Sequence, residues 1–386
     1  MNFFNRILDF KKRLEKPLET LNNIHISESA ILSNFDFFKS LHPNWSIFPV
    51  LKSNAYWHWI SEIAKILSKR KLDYICVDSF YEALKVRKFN NTPILLIWYT
   101  LPVNLANMDF SFVTLTVYDK DSILELSKIN KKIKIHLKID SWMNRQWVRF
   151  EEIKELLDLI KKTWNIDLEW LMTHFSDADN VDNSYSLQQE AYFKKCFDLV
   201  RSEGFRIKYI HWDNTAAWVK WFCRTFANSS RLWIGLYWVN PFEKQDWVFD
   251  SLNALKPALS LESTIVLRKS ISKGDKVSYN WTFIAEKDLD IWIIPVWYYE
   301  ALSRKLSNKF FYTYKGTPLR LLWRVCMNLT VIDLTWTDLH VWDKICVISD
   351  KLEDKNNIYE LSRLSETIPY ECFTRLSETI RRNITK

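Results

Sequence analysis

Apolar residues fall into two textures along this chain. From Ser27 to about Phe249, short runs rich in β-branched and aromatic residues alternate with longer stretches of helical spacing, the pattern of parallel strands joined by crossover helices. The expected strands are Ile47–Leu51, Tyr74–Val77, Ile94–Ile97, Val113–Tyr118, Ile133–Ile139, Leu168–His174, Ile207–His211 and Leu232–Tyr237. Among the intervening helices, Phe150–Trp164 places Ile153, Leu156, Leu157 and Ile160 on one face. Eight strands point to a closed (β/α)8 TIM-like barrel; an open doubly wound sheet is the alternative, and no dinucleotide fingerprint follows the first strand. After about Asp250, the short alternating runs Leu259–Arg268, Lys276–Tyr279, Ile291–Val296 and Ile345–Ile348 predict a mostly antiparallel β domain. The first residues are Lys/Glu-rich, with leucines at helical spacing. The expected organisation is a leading helical segment over 1–26, an α/β barrel over 27–250 and a C-terminal β domain over 251–386.

Charge and cysteine content narrow the classes. Lys+Arg of 54 against Asp+Glu of 46 leaves a modest excess spread along 386 residues, which gives little support to a nucleic-acid partner. Cys76, Cys196, Cys223, Cys326, Cys346 and Cys372 lie far apart, with no C-x-x-C pair and no metal-ligand spacing. Reduced thiols in a cytoplasmic protein without a metal are expected. Lys11, Lys12 and Arg13 precede any apolar run of signal-peptide length, and no stretch approaches a membrane span, so a soluble, unprocessed chain is expected.

Glycine is the anomaly. Only 4 glycines accompany 20 tryptophans. Turns and helix ends need a residue without Cβ, and the two types together come to about 6% of the chain, close to ordinary glycine usage. The tryptophans therefore occupy the number of places that glycine should.

The chemistry is carried by an ordered series of short motifs. The first expected strand ends in Val50-Leu51-Lys52-Ser53-Asn54-Ala55-Tyr56-Trp57-His58-Trp59. Leu137-Lys138-Ile139-Asp140-Ser141-Trp142-Met143-Asn144-Arg145, Met172-Thr173-His174-Phe175, His211-Trp212-Asp213-Asn214-Thr215-Ala216-Ala217 and Arg231-Leu232-Trp233-Ile234-Gly235-Leu236-Tyr237 follow near later strand ends, where a barrel keeps its working residues. The β half carries Val277-Ser278-Tyr279, Ile294-Pro295-Val296-Trp297-Tyr298, Arg324-Val325-Cys326-Met327-Asn328 and Ile368-Pro369-Tyr370-Glu371. Taken singly, Lys52 would read as a solvated strand-end cation, Lys138 as an exposed strand residue, His174 as a structural histidine and Tyr279 as an ordinary strand tyrosine.

Read together, with tryptophan standing for glycine, these motifs resemble those of the alanine racemase family in the family's own order. The resemblance implies pyridoxal 5'-phosphate as cofactor, with Lys52 as the lysine that forms its Schiff base. It implies that Lys52 and Tyr279 transfer the Cα proton on opposite faces of the substrate, and that Arg145 and the Met327 N–H hold its carboxylate while Tyr298 lines its access path. Tyr56, Thr215, Tyr370 and backbone N–H groups at Trp233 and Ile234 would hold the cofactor phosphate, and Arg231 would face the ring nitrogen. His174 and His211 would support these groups, and Lys138, a position often carbamylated in the family, would steady Arg145. Asn328, Asn280 and Glu300 depart from the family pattern near the substrate. The resemblance further implies a cytoplasmic homodimer with shared active sites, acting on alanine to supply D-alanine for peptidoglycan, with neither nucleic acid nor membrane as partner.

Three alternatives stand beside this reading: a racemase of another small amino acid such as serine, a non-catalytic pyridoxal-phosphate-binding barrel, and a carbohydrate-binding protein using tryptophan platforms. The last is disfavoured by position. Trp57, Trp59, Trp98, Trp142, Trp147, Trp218, Trp233, Trp238, Trp297, Trp323 and Trp342 coincide with family glycines, many in polar turns. UGA codons read as glycine in the source organism and translated here as tryptophan would produce this pattern.

Overall fold

The computed structural model describes residues 19–220, 225–277, 281, 283–334 and 337–386. The chain divides into two compact units, one of residues 26–259 with 384–386 and the other of 1–25 with 260–383. Residues 1–18, most of the expected leading helical segment, lie outside the described residues; its last residues enter strand β1 (Asn22–Ser27), followed at once by the helix Glu28–Leu41. The sequence Asn-Asn-Ile-His-Ile-Ser alternates with period two, which suits a sheet, and Ser27 caps the helix by accepting from the Ala30 N–H at 3.1 Å.

The larger unit is a parallel barrel. Strands β2 (Ser46–Pro49), β3 (Ile75–Val77), β4 (Ile94–Leu96), β5 (Val113–Val117), β6 (Ile133–Lys138), β7 (Ile166–Met172), β8 (Tyr209–Asp213) and β9 (Ser229–Leu232) pair in the order β2-β9-β8-β7-β6-β5-β4-β3. A parallel bridge from Val50 to Cys76, with the Leu51 N–H donating to the Cys76 carbonyl at 2.8 Å, joins the ends of β2 and β3. The barrel is therefore closed, and the open-sheet alternative falls. Its interior packs Phe48, Val50, Tyr74, Cys76, Leu95 and Trp170, all buried.

The last barrel strand lies earlier than expected. Residues 229–232 form β9, whereas Ile234–Tyr237 is a single 3₁₀ turn. The apolar run through Tyr237 reflects burial of that turn rather than strand pairing. Gly235 shows why the turn is so tightly seated: a Cβ there would stand 2.5 Å from the Phe38 ring and 2.7 Å from Thr215 Cγ2.

The second unit is built on a nine-stranded sheet with β10 (Leu259–Thr264), β11 (Leu267–Ile271), β12 (Leu289–Ile294), β13 (Phe311–Tyr314), β14 (Thr317–Leu322), β15 (Thr330–Asp333), β16 (Lys344–Ile348) and β17 (Arg381–Thr385), in the order β11-β12-β15-β14-β13-β16-β10-β1-β17. The single run expected over Leu259–Arg268 is two strands, and Lys276 makes only an isolated bridge to Ile284. Ile271, Leu289, Ile291, Leu322, Trp323 and Val331 form one buried cluster against this sheet.

Backbone conformation bears directly on the tryptophan anomaly. Trp57, Trp59, Trp142, Trp238, Trp281, Trp323 and Trp342 have φ between 48° and 82°, the left-handed region that a bulky residue avoids. They make up seven of the seventeen described non-glycine residues found there. Of the four glycines, Gly204, Gly274 and Gly316 occupy the same region.

Candidate active site

The C-terminal mouth of the barrel holds a cavity of about 140 Å³. Lys52, Tyr56, Lys138, Arg145, His174, Asn214 and Arg231 line it, together with the indoles of Trp98, Trp147 and Trp233. Six of the residues singled out from sequence as chemical groups thus converge on one site from the ends of β2, β6, β7 and β9. Thr215 and Ile234 lie just beside it, both buried, and Thr215 Oγ1 accepts from the Gly235 N–H at 3.4 Å.

Lys52 emerges directly after the bridge that closes the barrel. The five residues that follow, Ser53 to Trp57, all have φ between 50° and 62°, a left-handed turn containing no glycine. Each such residue costs about 1–2 kcal/mol. The turn is secured by the Ala55 N–H donating to Leu51 O at 2.9 Å, by the Ile60 N–H donating to Asn54 Oδ1 at 3.0 Å, and by the Asn54 N–H donating to Glu82 Oε1 at 3.0 Å. Lys52 Nζ stands 3.9 Å from Asp78 Oδ2 at the end of β3. Burial raises the Asp78 carboxyl above the ordinary aspartate range, against the pull of the Lys52, Lys138 and Arg145 charges.

Arg231 is the most constrained cation of the site. Its Nη1 donates to His211 Nδ1 at 2.6 Å and to His211 O at 3.1 Å, and its Nη2 to Thr173 O at 2.8 Å and His174 Nδ1 at 3.1 Å. Because guanidinium can only donate, both imidazoles accept through Nδ1 and carry their proton on Nε2. His211 then donates to His136 Nδ1 at 3.0 Å. Burial, followed by the Arg231 charge, lowers the pKa of all three histidines far below its ordinary value and keeps them neutral. His174 and His211 are therefore acceptors that orient Arg231.

Lys138 is buried, 2% exposed, which removes the reading of an exposed strand residue. Burial, then the Arg231 and Arg145 charges, lowers its pKa to about 7. Its amine donates to Ile97 O and lies 5.1 Å from the Trp147 ring, so in this state it supports the cavity wall rather than Arg145. Arg145 is exposed, 5.9 Å from the Trp98 ring, on a loop shaped by Asp140 Oδ1 accepting from the Met143 and Asn144 N–H groups at 2.8 and 3.1 Å.

The remaining expected residues fall in the β unit. Tyr298 and Met327, both exposed, line a cavity of about 640 Å³ with Arg304, Arg324 and Arg375. Tyr370 is the second residue of the short helix Pro369–Thr374. Glu300, buried, accepts from the Trp297 N–H at 3.1 Å. Tyr279 and Asn280 lie outside the described residues. Among the described residues no group of three or more His, Cys, Asp and Glu side chains is placed to hold a metal, and no helix is long and apolar enough to cross a membrane.

Sequence reasoning missed Asp78, Glu82 and Asn214. Asn214 was inside a recognised motif, whereas Asp78 and Glu82 sit on a segment with no motif of its own. The donor set fits pyridoxal phosphate. Three cations, Lys52, Arg145 and Arg231, face one cavity, with the Lys138 amine and Asp78 beside them; such a site is suited to an anion bearing an amine-reactive carbonyl.

Residues 26–241 match the alanine racemase N-terminal domain and residues 258–384 the alanine racemase C-terminal domain. The chain belongs to the alanine racemase family. Among its relatives, alanine racemase of Lactobacillus acidophilus is 32% identical over 373 residues, covering 93% of this chain and 96% of the relative. Alanine racemase of Methanococcus maripaludis is 30% identical over 365 residues, covering 92% and 96%. Alanine racemase of Bacillus anthracis, solved with bound L-Ala-P, superposes with a TM-score of 0.87 at 27% identity, covering 96% of each chain. Family membership accounts for a cation-lined barrel mouth and an antiparallel domain in a single chain.

Proposed function

We propose that this chain is a pyridoxal-phosphate-dependent alanine racemase, a reading carried by the placement of Lys52, Arg145 and Arg231 around one cavity at the barrel mouth. Tyr56, Thr215, Tyr370 and backbone donors at Trp233 and Ile234 would hold the cofactor. When bound, pyridoxal phosphate supplies the electron sink that makes the substrate's Cα proton removable. Lys52 then takes or returns that proton on one face through Nζ, and Tyr279 does so on the other through its phenolic oxygen. Arg145 and the Met327 N–H hold the carboxylate, with Tyr298 on the access path. Arg231, fixed by its histidine and carbonyl acceptors, stays protonated toward the ring and limits how strongly electrons are withdrawn. Lys138, with a pKa of about 7, offers at neutral pH the free amine that reaction with CO2 requires, and the resulting anion would pair with Arg145. The family resemblance supports a cytoplasmic homodimer that supplies D-alanine to the cell wall, with Tyr279 reaching the partner's barrel.

Glycine at the tryptophan positions is part of this proposal: UGA codons in the source organism would specify glycine there. Two observations support it. Seven tryptophans occupy left-handed backbone, and the buried indole N–H groups of Trp147, Trp170, Trp212 and Trp292 find no hydrogen-bond partner among the described residues, although a buried indole normally has one.

Two synthetic genes test the whole proposal, one encoding the chain as written and one with glycine at the motif tryptophans. The glycine form should bind pyridoxal phosphate, show its visible absorbance and racemise alanine, and Lys52→Ala should abolish both absorbance and turnover. Retention of the absorbance by Lys52→Ala would sink the assignment. Codon inspection is decisive for the recoding: UGG at Trp57, Trp142 and Trp233 would refute it.

A further inference from the structure

Glu82 stands three residues after Ser79 at the start of the helix Phe80–Arg87. This Ser-x-x-Glu spacing ordinarily returns the glutamate carboxylate to the N–H of the capping serine. Half of that arrangement is present, since the Glu82 N–H donates to Ser79 Oγ at 3.2 Å. The carboxylate goes elsewhere. Its Oε2 accepts from the Asp78 N–H at 3.0 Å, at the end of β3, and its Oε1 accepts from the Asn54 N–H at 3.0 Å, inside the left-handed turn that follows Lys52.

We propose that Glu82 is a positioning residue, a two-pronged clamp that ties the Lys52 turn to the end of β3 and thereby fixes both Lys52 and its neighbour Asp78. Three features support a clamp over a simple helix cap. The carboxylate spans 28 residues of sequence to reach Asn54, it uses one oxygen for each side of the barrel seam, and the backbone it grips is left-handed for five successive residues. Four of those five, Ser53 to Tyr56, remain non-glycine even in the glycine form and have no intrinsic preference for that shape, so the geometry depends on outside hydrogen bonds. Lys52 Nζ and the Asp78 carboxylate, 3.9 Å apart, hang from the two backbones that Glu82 joins. The catalytic consequence rests on the reading of Lys52 as the cofactor lysine. The clamp itself does not.

Hydrogen exchange on the cofactor-free full chain, in its glycine form, separates these. Glu82→Ala should speed exchange of the Asn54 and Asp78 amides at least about tenfold while leaving β6 amides within about twofold. Glu82→Gln keeps a single acceptor oxygen and should release one of the two amides but not both, which also covers the case in which the alanine variant folds poorly. In the cofactor-loaded enzyme, kcat should fall about tenfold to a hundredfold for Glu82→Ala, less for Glu82→Gln, with KM changed by less than about threefold. Unchanged protection at both amides, or an equal loss of protection throughout the barrel, overturns the clamp. Lost protection with kcat unaltered overturns the positioning role. Absence of racemisation in the parent chain, with the amide pattern intact, counts against the functional reading alone.

Discussion

The barrel mouth and the tryptophan turns both carry unfavourable backbone, and they differ in what surrounds it. At the mouth, Ser53 to Trp57 run left-handed, but Asn54 and Glu82 meet the turn with hydrogen bonds, and the adjoining buried cation Arg231 is met by two imidazoles and three carbonyls. At Trp342 the backbone is equally left-handed, yet the residue is 68% exposed; Trp142, also left-handed, at least rests its ring 4.9 Å from Tyr192. Strain offset by dedicated partners belongs to a working site. Strain with an indole projecting into solvent is what remains when a residue does not suit its backbone.

This comparison can be pressed from either side. The largest effect should come from Lys138 at the mouth. Its folded pKa of about 7 lies below the unfolded value of about 10.4, so stability contributed by its neutral form is complete above the unfolded value and is lost as pH falls toward 7. Denaturant unfolding between those limits should show a slope of up to about 1.4 kcal/mol per pH unit that Lys138→Met flattens; an identical slope in both would mean that the amine is not held neutral. Next is Gly235→Ala, where a Cβ at 2.5 Å from the Phe38 ring should cost about 1–3 kcal/mol in unfolding free energy. Trp342→Gly should raise stability by about 1 kcal/mol, since little packing is lost and the left-handed penalty is removed, and Trp142→Gly should gain less because its ring contact with Tyr192 goes too. Loss of stability in both would erase the contrast between the two regions. Smallest on stability is Ser53→Gly, a gain below about 1 kcal/mol, but it should lower kcat because it loosens the turn that presents Lys52.

Much of this was legible in the letters, and the limits have physical causes. Strands buried on both faces announce themselves as apolar or β-branched runs, as at Ile94–Leu96 and Val113–Val117, and eight such runs alternating with helices made the barrel legible. The motif order located Lys52, Arg145, His174 and Arg231 because side-chain chemistry is written residue by residue. Backbone conformation is not. Nothing in Ser53-Asn54-Ala55-Tyr56 signals a left-handed turn, so the need for Glu82 stayed hidden. Strand β17, Arg-Arg-Asn-Ile-Thr, is too polar to stand out, and β1 was absorbed into a helical expectation set by the Lys- and Glu-rich residues before it. The 3₁₀ turn at Ile234 imitates a strand because burial, not pairing, selects its apolar residues.

The bridge between Val50 and Cys76 has a consequence for how the enzyme is dimensioned. It is the seam at which the hoop of strands is fastened, and Lys52 is the second residue beyond it. Side chains alternate inward and outward along a strand, so slipping the seam by one residue would turn the Lys52 amine from the lumen to the barrel wall. Closure and alignment are thus a single act: the stitch that completes the cylinder also sets the height and heading of the nitrogen at its rim.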